Sequence, residues 1–574
     1  MDWINGKDFR NGRTTLTTDK IEKFSKEGFW VNKIFPDYVD HWAHWDSERP
    51  AIYFGDQTIT YGDLKNNVDL TALALLELGL KSGDTLACQF PNRPEYLYFQ
   101  YACWKIGVVF VPVLPGLRHK ELEYMLGSSE ADVFVVVDEW RGFSYTQLAK
   151  EVVAKLSKEV RIIVVGNSVP ADCIAYNDIL EKGKKSQEKN QDDYLMQFRP
   201  DPNDVCLIGF TSGTESLPKG VLSTHNIFIS QMNHHCRGTI HQYDVVFGPN
   251  PLPHLFGALN TAGPIMKGAA TVIADFDPNQ VSAIIEKYKA SFLGMAPPHF
   301  LYTFESPEFP KFDVTTVRAA GVAAAPISPT LLKKMKDSFP NMKIIHGWGQ
   351  TENGNGTATH PDDSEELLLE TDGFAEYGNE IKVCDTDGNE LPMGEVGELC
   401  YRGADLTIGF LNDTERTMNA HLPDGFYKTG DLASTRVSDG RLYQTQQGRA
   451  KDVISRGGEQ ISAKEVEDLL VTHPKILDAQ MVAMPDPKLQ ERGCIFIKLK
   501  EGASELTFDE MKDYMLEKNI AKFKIPERMV LIEQFPMTQT GKVQKYQLRD
   551  NIAKKLLDEN LVTEDDYNTF LKKN

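Results

Sequence analysis

The stretch Thr211-Ser-Gly-Thr-Glu-Ser-Leu-Pro-Lys-Gly220 constrains this chain more than any other. It follows an apolar run, Val205-Cys-Leu-Ile-Gly-Phe210, that reads as a buried strand, and it precedes a second short run at Val221-Leu222. Four hydroxyls (Thr211, Ser212, Thr214, Ser216), the glycines Gly213 and Gly220, and Lys219 fall between two strands. Small residues let backbone N–H groups approach an anion, and hydroxyls and a lysine add donors. The stretch therefore reads either as a phosphate-gripping loop or as a hairpin loop of ordinary turn residues. It is not a Walker loop, which needs Gly-Lys followed by Ser or Thr at the start of a helix. Here Pro218 precedes the lysine and Gly220 follows it.

At 574 residues the chain is too long for one core, so two or more domains are expected. The net charge of −20 argues against a nucleic-acid partner, which would need a basic face. It also requires any site for an anionic nucleotide to gather its cations locally. The apolar stretches, such as Gly107-Val-Val-Phe-Val-Pro-Val-Leu114, are shorter than a membrane span, and Met1-Asp-Trp-Ile-Asn-Gly-Lys7 lacks a signal-peptide core. The expectation is a cytoplasmic protein with no integral membrane segment. The eight cysteines show no C-x-x-C spacing, so zinc and redox motifs have no support.

Strands are predicted within 51–60 around a Gly-Asp turn, and at 84–90, 108–113, 133–137 and 161–165, with helices at 61–78 and 95–106 between them. Such alternation implies α/β architecture. The charged run Lys182-Gly-Lys-Lys-Ser-Gln-Glu-Lys-Asn-Gln-Asp-Asp193 reads as a solvated surface connection. A helix is predicted over 225–235. His234 and His235 are adjacent there, so they point in different directions and make a poor metal pair. The strand at 342–346 runs straight into Gly347-Trp-Gly-Gln-Thr-Glu352, and ligands of open α/β sheets bind just past such strand ends. Asp431, in Tyr427-Lys-Thr-Gly-Asp431, reads either as a carboxylate partner for a ribose diol or as a turn aspartate facing solvent. Ser462-Ala-Lys-Glu465 and Thr507-Phe-Asp-Glu510 are capping boxes opening helices of a small α+β unit, with strands at 478–484, 494–499 and 529–534.

The loop at 211–220, with the motifs at Ala323-Ala-Ala-Pro326, Gly347–Glu352, Tyr427–Asp431, Gly448-Arg-Ala-Lys451 and Pro536-Met-Thr-Gln-Thr-Gly-Lys542, resembles the adenylate-forming superfamily in content and order. The acyl-CoA synthetase, or acid–CoA ligase, branch is the nearest. Glu215 and Ser216 replace the usual Thr and Gly of the loop, and Ala323 replaces a Gly. The resemblance implies an α/β fold with a large N-terminal domain of α/β subdomains and mixed sheets (1–450), followed by a small mobile α+β C-terminal domain (451–574). It implies ATP contacts from Thr211, Ser212, Gly213, Thr214 and Lys219. Ala323, Ala324, Ala325, Pro326 and Gly347 would border adenine, on which Trp348 would stack. Gly349, Gln350 and Thr351 would continue to the phosphate, Asp431 would hold the ribose, and Arg449 would reach the ribose or the α-phosphate. Mg²⁺ would lie on Glu352 and Thr214. Lys451 would be the hinge, and Arg456, Gly457, Gly458 and Glu459 would line the channel for coenzyme A. Lys542 would be the catalytic lysine, acting with Glu352, Thr351 and His254. The acid pocket would take His254, Phe256, Gly321, Val322 and Gly347. Leu255, where enzymes for 2-hydroxybenzoates carry Asn, argues against an ortho-hydroxylated aryl acid.

The implied activity converts a medium-chain, alicyclic or aromatic carboxylic acid into its acyl-AMP and then its CoA thioester. About thirty residues follow Lys542, too few for a fused carrier domain, which favours free CoA. The alternative is a stand-alone adenylating enzyme that loads a separate carrier protein. A homo-oligomer is compatible with the sequence.

Overall fold

In the computed structural model, residues 13–190, 193–211, 218–236, 238–323, 327–457, 459–518, 520–537 and 543–573 are described. The chain divides into two units. The larger holds the described residues up to Glu380 together with Tyr401–Tyr427, and the smaller holds Ile381–Cys400 and the described residues from Lys428 on.

In the larger unit, alternation of valine-rich runs with helices produces two sheets. The first orders its strands β2 (Lys219–Thr224), β1 (Val205–Thr211), Val109–Val113, Thr85–Gln89, Val133–Val137, Arg161–Val165 and Ile174–Ala175. All neighbours are parallel except β1 and β2, which pair antiparallel with Thr211 opposite Lys219. The central strands are apolar on both faces because helices cover both, as parallel sheets require. The helix Tyr61–Glu77 starts at a reciprocal cap, in which Thr60 Oγ1 accepts from Asp63 N (3.1 Å) and Asp63 Oδ2 accepts from Thr60 N (3.0 Å).

The second sheet is centred on parallel strands. It includes β3 (Phe292–Met295), β4 (Ala319–Ala323) and β5 (Lys343–Trp348) in adjacent positions, with Gly294 opposite Gly321 and Ala323 opposite Gly347. Two helices flank the site elements. One, α1 (His225–Cys236), follows β2 directly, and the other, α2 (Leu255–Lys267), follows the Pro251–His254 turn.

The run at 182–193 is not an open connection. Residues up to Lys189 belong to a helix, Tyr176–Lys189, that buries Ile179, Gly183 and Ser186. A Cβ at Gly183 would lie 2.2 Å from the Leu70 carbonyl oxygen. The helical stripe is therefore carried by small residues against the Tyr61–Glu77 helix, and an apolar-periodicity search passes over it. Residues 191 and 192 lie outside the described residues.

From Lys428 on, the smaller unit contains the antiparallel hairpin of β6 (Tyr427–Ser438) and β7 (Arg441–Arg449). Its own sheet orders β9 (Glu459–Ser462), β8 (Val453–Arg456), β11 (Gln490–Leu499) and β10 (Ile476–Asp486), with β12 (Arg528–Leu531) parallel to β11. The helices α3 (Ala463–Leu470) and α4 (Lys545–Asp558) pack on β10. Ser462 and Thr507 accept the backbone N–H of Glu465 and Glu510, the capping contacts expected at those sites. Among the described residues, no helix is long and apolar enough to cross a membrane. The mixed α/β fold with a large first and small second part is the one the sequence led us to expect.

Candidate active site

Tight local geometry places Gly347–Glu352. Gly347 and Trp348 are the last residues of β5, opposite Ala358 and Thr357 of the next, antiparallel strand. The chain then folds back on itself. Gln350 N donates to Asn353 Oδ1 (2.8 Å), and Asn353 N donates to the Gln350 carbonyl (3.1 Å). A Cβ at Gly349 would sit 1.9 Å from the Gly354 carbonyl oxygen, so only glycine fits there. This turn carries Thr351 to Gly209 of β1, whose Cβ, if present, would be 3.0 Å from the Thr351 methyl. The strand that enters the 211–220 loop and the 347–352 turn are thus immediate neighbours. Glu352 is 8% exposed, and its carbonyl accepts from Thr407 N (2.7 Å). Thr407 Oγ1 in turn donates to the Leu222 carbonyl of β2 (2.7 Å), tying the turn to the hairpin from a second side.

Thr211 and Lys219 close the base of the hairpin, and Lys219 Nζ lies over the Phe410 ring at 5.9 Å. Ser212, Gly213, Thr214, Glu215 and Ser216 lie outside the described residues, as do Ala324, Ala325 and Pro326. Ala323 is described, at the end of β4 beside Gly347.

A narrow cavity opens where β3, β4 and β5 meet the helices. Phe256, Gly321, Val322, Ala323 and Gly347 line it, with His235, Thr239, Phe292, Ile345, Asn355 and Ala358. Four residues of the expected acid pocket are therefore together. His254 is placed differently and is not in the lining. It caps α2, its Nδ1 accepting from Phe256 N (3.2 Å). A neutral His254 consequently carries its proton on Nε2. His235 and Phe292 escape a motif search because no motif contains them. The signal available was geometric: adjacent helical residues diverge. His234 turns to Asp405, with Nδ1 2.5 Å from Oδ2, while His235 turns to the cavity. Burial holds His235 neutral, its pKa lowered to about 4.

In the smaller unit, Asp431 and Arg449 face each other across β6 and β7, and Arg449 Nε lies 3.4 Å from Asp431 Oδ1. Asp431 is buried. Lys451 sits in a short turn, Ala450–Asp452, just after β7. Arg456 and Glu459 pair at the closed end of the β8–β9 hairpin, where Gly457 adopts φ +58°, a left-handed conformation natural to glycine. Arg456 Nε donates to Glu527 Oε1 (2.5 Å). Gly458 and Lys542 lie outside the described residues. Met537 and Val543 form a bridge, and Gln544 N donates to the Pro536 carbonyl (2.7 Å), on either side of the segment that holds Lys542.

Comparison with known proteins decides the family. Residues 39–411 match the AMP-binding enzyme family, and residues 465–542 match the AMP-binding enzyme C-terminal domain. The chain belongs to the AMP-binding enzymes. This AMP-binding enzyme is 31% identical over 553 residues to the medium-chain fatty-acid–CoA ligase of Escherichia coli K12, covering 95% of each chain. It is 29% identical over 552 residues to the 2,3-dihydroxybenzoate-AMP ligase of Bacillus subtilis 168, covering 95% of this chain and 98% of that one. Its fold matches that of the anthranilate CoA ligase AuaEII, solved with anthranoyl-AMP. That match has a TM-score of 0.81 at 23% identity and covers 92% of this chain and 98% of that one. The resemblance to the adenylate-forming superfamily thus holds over nearly the whole AMP-binding enzyme.

Proposed function

We propose that this AMP-binding enzyme is an ATP-dependent acid–CoA ligase. The carboxylate of a medium-chain, alicyclic or aromatic acid attacks the α-phosphorus of ATP, pyrophosphate leaves, and an acyl-AMP forms. The thiol of coenzyme A then loses its proton and attacks the acyl carbon, and AMP leaves. Activation is needed because a free carboxylate spreads its charge over two oxygens and would have to expel oxide.

One observation carries this reading. Gly347 lines the cavity, and the turn that follows Trp348 carries Thr351 to the phosphate-loop strand. An acid in the cavity would present its carboxylate beside a nucleotide on that turn. On this reading Trp348 stacks on adenine beside Ala323 and the 324–326 segment, and Thr351, Thr211 and Lys219 reach the phosphates. Asp431 binds the ribose, and Arg449 reaches the ribose or the α-phosphate. Glu352 and Thr214 offer oxygen donors, which suit Mg²⁺. The carboxylate of Glu352 is largely shielded from water and adjoins Thr351, a donor that fits the ion. When bound there, Mg²⁺ would supply positive charge against the phosphates. Lys542 stabilises charge at phosphorus in the first step. The chain from 451 on acts as a lid that turns at Lys451 and brings Arg456–Glu459 to the thiol. The names of relatives support the choice of acid and of CoA, and a cytoplasmic location belongs to the same reading.

Pyrophosphate release across fatty, alicyclic and aromatic acids, with and without CoA, tests the proposal. The expected result is CoA-dependent AMP and an acyl-CoA from one acid class. Pyrophosphate without any CoA thioester would replace CoA by a carrier-protein thiol. No pyrophosphate from any acid would overturn the reading.

A further inference from the structure

Helix α1 holds the turn that carries Glu352, and it does so through two of its side chains. Gln231 and His234 are three residues apart, so they share one face of the helix. Both are buried. Gln231 is braced between two stretches of backbone. Its Nε2 donates to the Asp405 carbonyl (2.9 Å). Its stem packs on Gly354, where an added Cβ would lie 2.5 Å from Gln231 Cγ. His234 holds the same aspartate by its side chain. The carboxylate of Asp405 is fully buried, and its Oδ2 accepts from His234 Nδ1 (2.5 Å) and from Asn379 Nδ2 (3.2 Å).

Asp405 leads directly to the metal turn. Two residues on, Thr407 N donates to the Glu352 carbonyl (2.7 Å), and Thr407 Oγ1 donates to the Leu222 carbonyl (2.7 Å). The turn is therefore held at Glu352 through the 405–407 segment and at Gly354 by Gln231 itself. Both holds start from α1, which continues without a break from β2 of the phosphate-loop hairpin. The helix sets the distance between the two pieces of backbone that a nucleotide would have to touch together.

Packing alone does not call for these side chains. A methionine would fill the space of Gln231, and burying the His234–Asp405 pair carries a desolvation cost. What the polar groups add is direction, because a hydrogen bond weakens steeply as its angle bends. Direction matters at Glu352, since Mg²⁺ demands near-ideal octahedral geometry from its oxygens.

Resting on the reading that a nucleotide and Mg²⁺ lie on this turn, we propose that Gln231 and the His234–Asp405 pair are positioning residues for Glu352. They act through the backbone of 352–354 and 405–407, and fix the Glu352 carboxylate before the ion arrives.

The test is a binding measurement. α,β-Methylene-ATP, which cannot release pyrophosphate from its α-phosphorus, is titrated calorimetrically into the protein in Mg²⁺ and in EDTA. The proteins compared are the unaltered enzyme, Gln231→Met, His234→Leu and His234→Asn. In the unaltered enzyme Mg²⁺ should tighten binding. Gln231→Met and His234→Leu should each lose about tenfold of that gain, while their affinity in EDTA stays within about twofold of the unaltered value. His234→Asn, whose amide N–H stands where the imidazole Nδ1–H stood, should keep the gain. A merely structural role would lower the unfolding midpoint and the number of sites titrated, and leave the gain intact. Retention of the full gain by Gln231→Met or by folded His234→Leu would overturn the proposal. So would an equal loss in Mg²⁺ and in EDTA, or loss of the gain in His234→Asn. If His234→Leu does not fold, Gln231→Met decides alone. An unaltered enzyme that does not bind the analogue, or binds it no better in Mg²⁺, would remove the nucleotide and metal reading of the turn and this proposal with it.

Discussion

Single residues at this site act through atoms whose position the surrounding backbone leaves little room to change. Gly349 is the clearest case. Its missing Cβ makes room for the Gly354 carbonyl, so any side chain must push the 350–352 turn away from β1. Gly349→Ala should lower ATP–pyrophosphate exchange at least about tenfold, since small misplacements of positioning residues carry large rate costs. Lys542→Ala should slow acyl-AMP formation by at least about a hundredfold, roughly 2.7 kcal/mol of barrier. It should spare thioester formation from pre-made acyl-AMP, and equal loss of both steps would sink the assignment. His254 shows the limit of reading single residues. The family resemblance implied a pocket wall, and a histidine just before a helix also makes a cap, as His254 does for α2 through Nδ1. Which use prevails depends on where the helix starts, and that is a tertiary fact.

Elements carry the next level of argument, most plainly in the smaller unit. The helix α4 begins three residues after Lys542 and is pinned by Lys545, whose Nζ lies 2.7 Å from Glu467 Oε1 on α3. Arg549, one turn further on, reaches Asp452 beside the Lys451 turn at 3.4 Å. Removing one partner of a largely buried pair leaves the other uncompensated. Glu467→Ala should therefore destabilise this unit by about 2–3 kcal/mol. Urea unfolding followed by its far-UV signal would show the shift, and an unchanged midpoint would mean that Lys545 finds another partner. The elements themselves were largely legible. Strong apolar periods gave the strands at Thr85–Gln89, Val109–Val113 and Val133–Val137 and the helix Tyr61–Glu77. The helix Tyr176–Lys189 was missed because Gly183 and Ser186 fill its stripe, and small polar residues carry no hydrophobic signal.

At the scale of the whole molecule, three histidines whose charged form is desolvated, the buried His225 and the half-buried His235 and His299, set an acid limit. Burial lowers His225 to a pKa of about 3 and His235 and His299 to about 4. Each binds its proton more readily when unfolded, near pH 6.5, so the stability they contribute is complete above that value and drains as pH falls toward their folded values. By pH 5.5 each costs about 1.4 kcal/mol and the three together up to about 4. Urea midpoints should fall steeply between pH 7 and 5. His225→Phe should flatten that slope, because His225 Nδ1 accepts from Phe35 N (3.4 Å) and a proton there would face a donor. Catalysis gives a second test at this scale. Lys451→Pro should restrict the proposed hinge, so stopped-flow traces should show at least one half-reaction slowed. Two unchanged half-reactions would place the hinge elsewhere.

The sequence alone determined the alternating strands and helices, the order of the motifs and the family to which they point. Those features are local: a period, a turn residue or a ten-residue motif is written in consecutive positions. The sequence also put Gly347 at a strand end next to Trp348–Glu352, because strand and motif are continuous. Only the tertiary structure brought Thr351 to Gly209 and sent His234 to Asp405 and His235 to the cavity. Those contacts join residues far apart in the chain through parallel strands and packed helices, and no spacing along the sequence encodes where such elements meet.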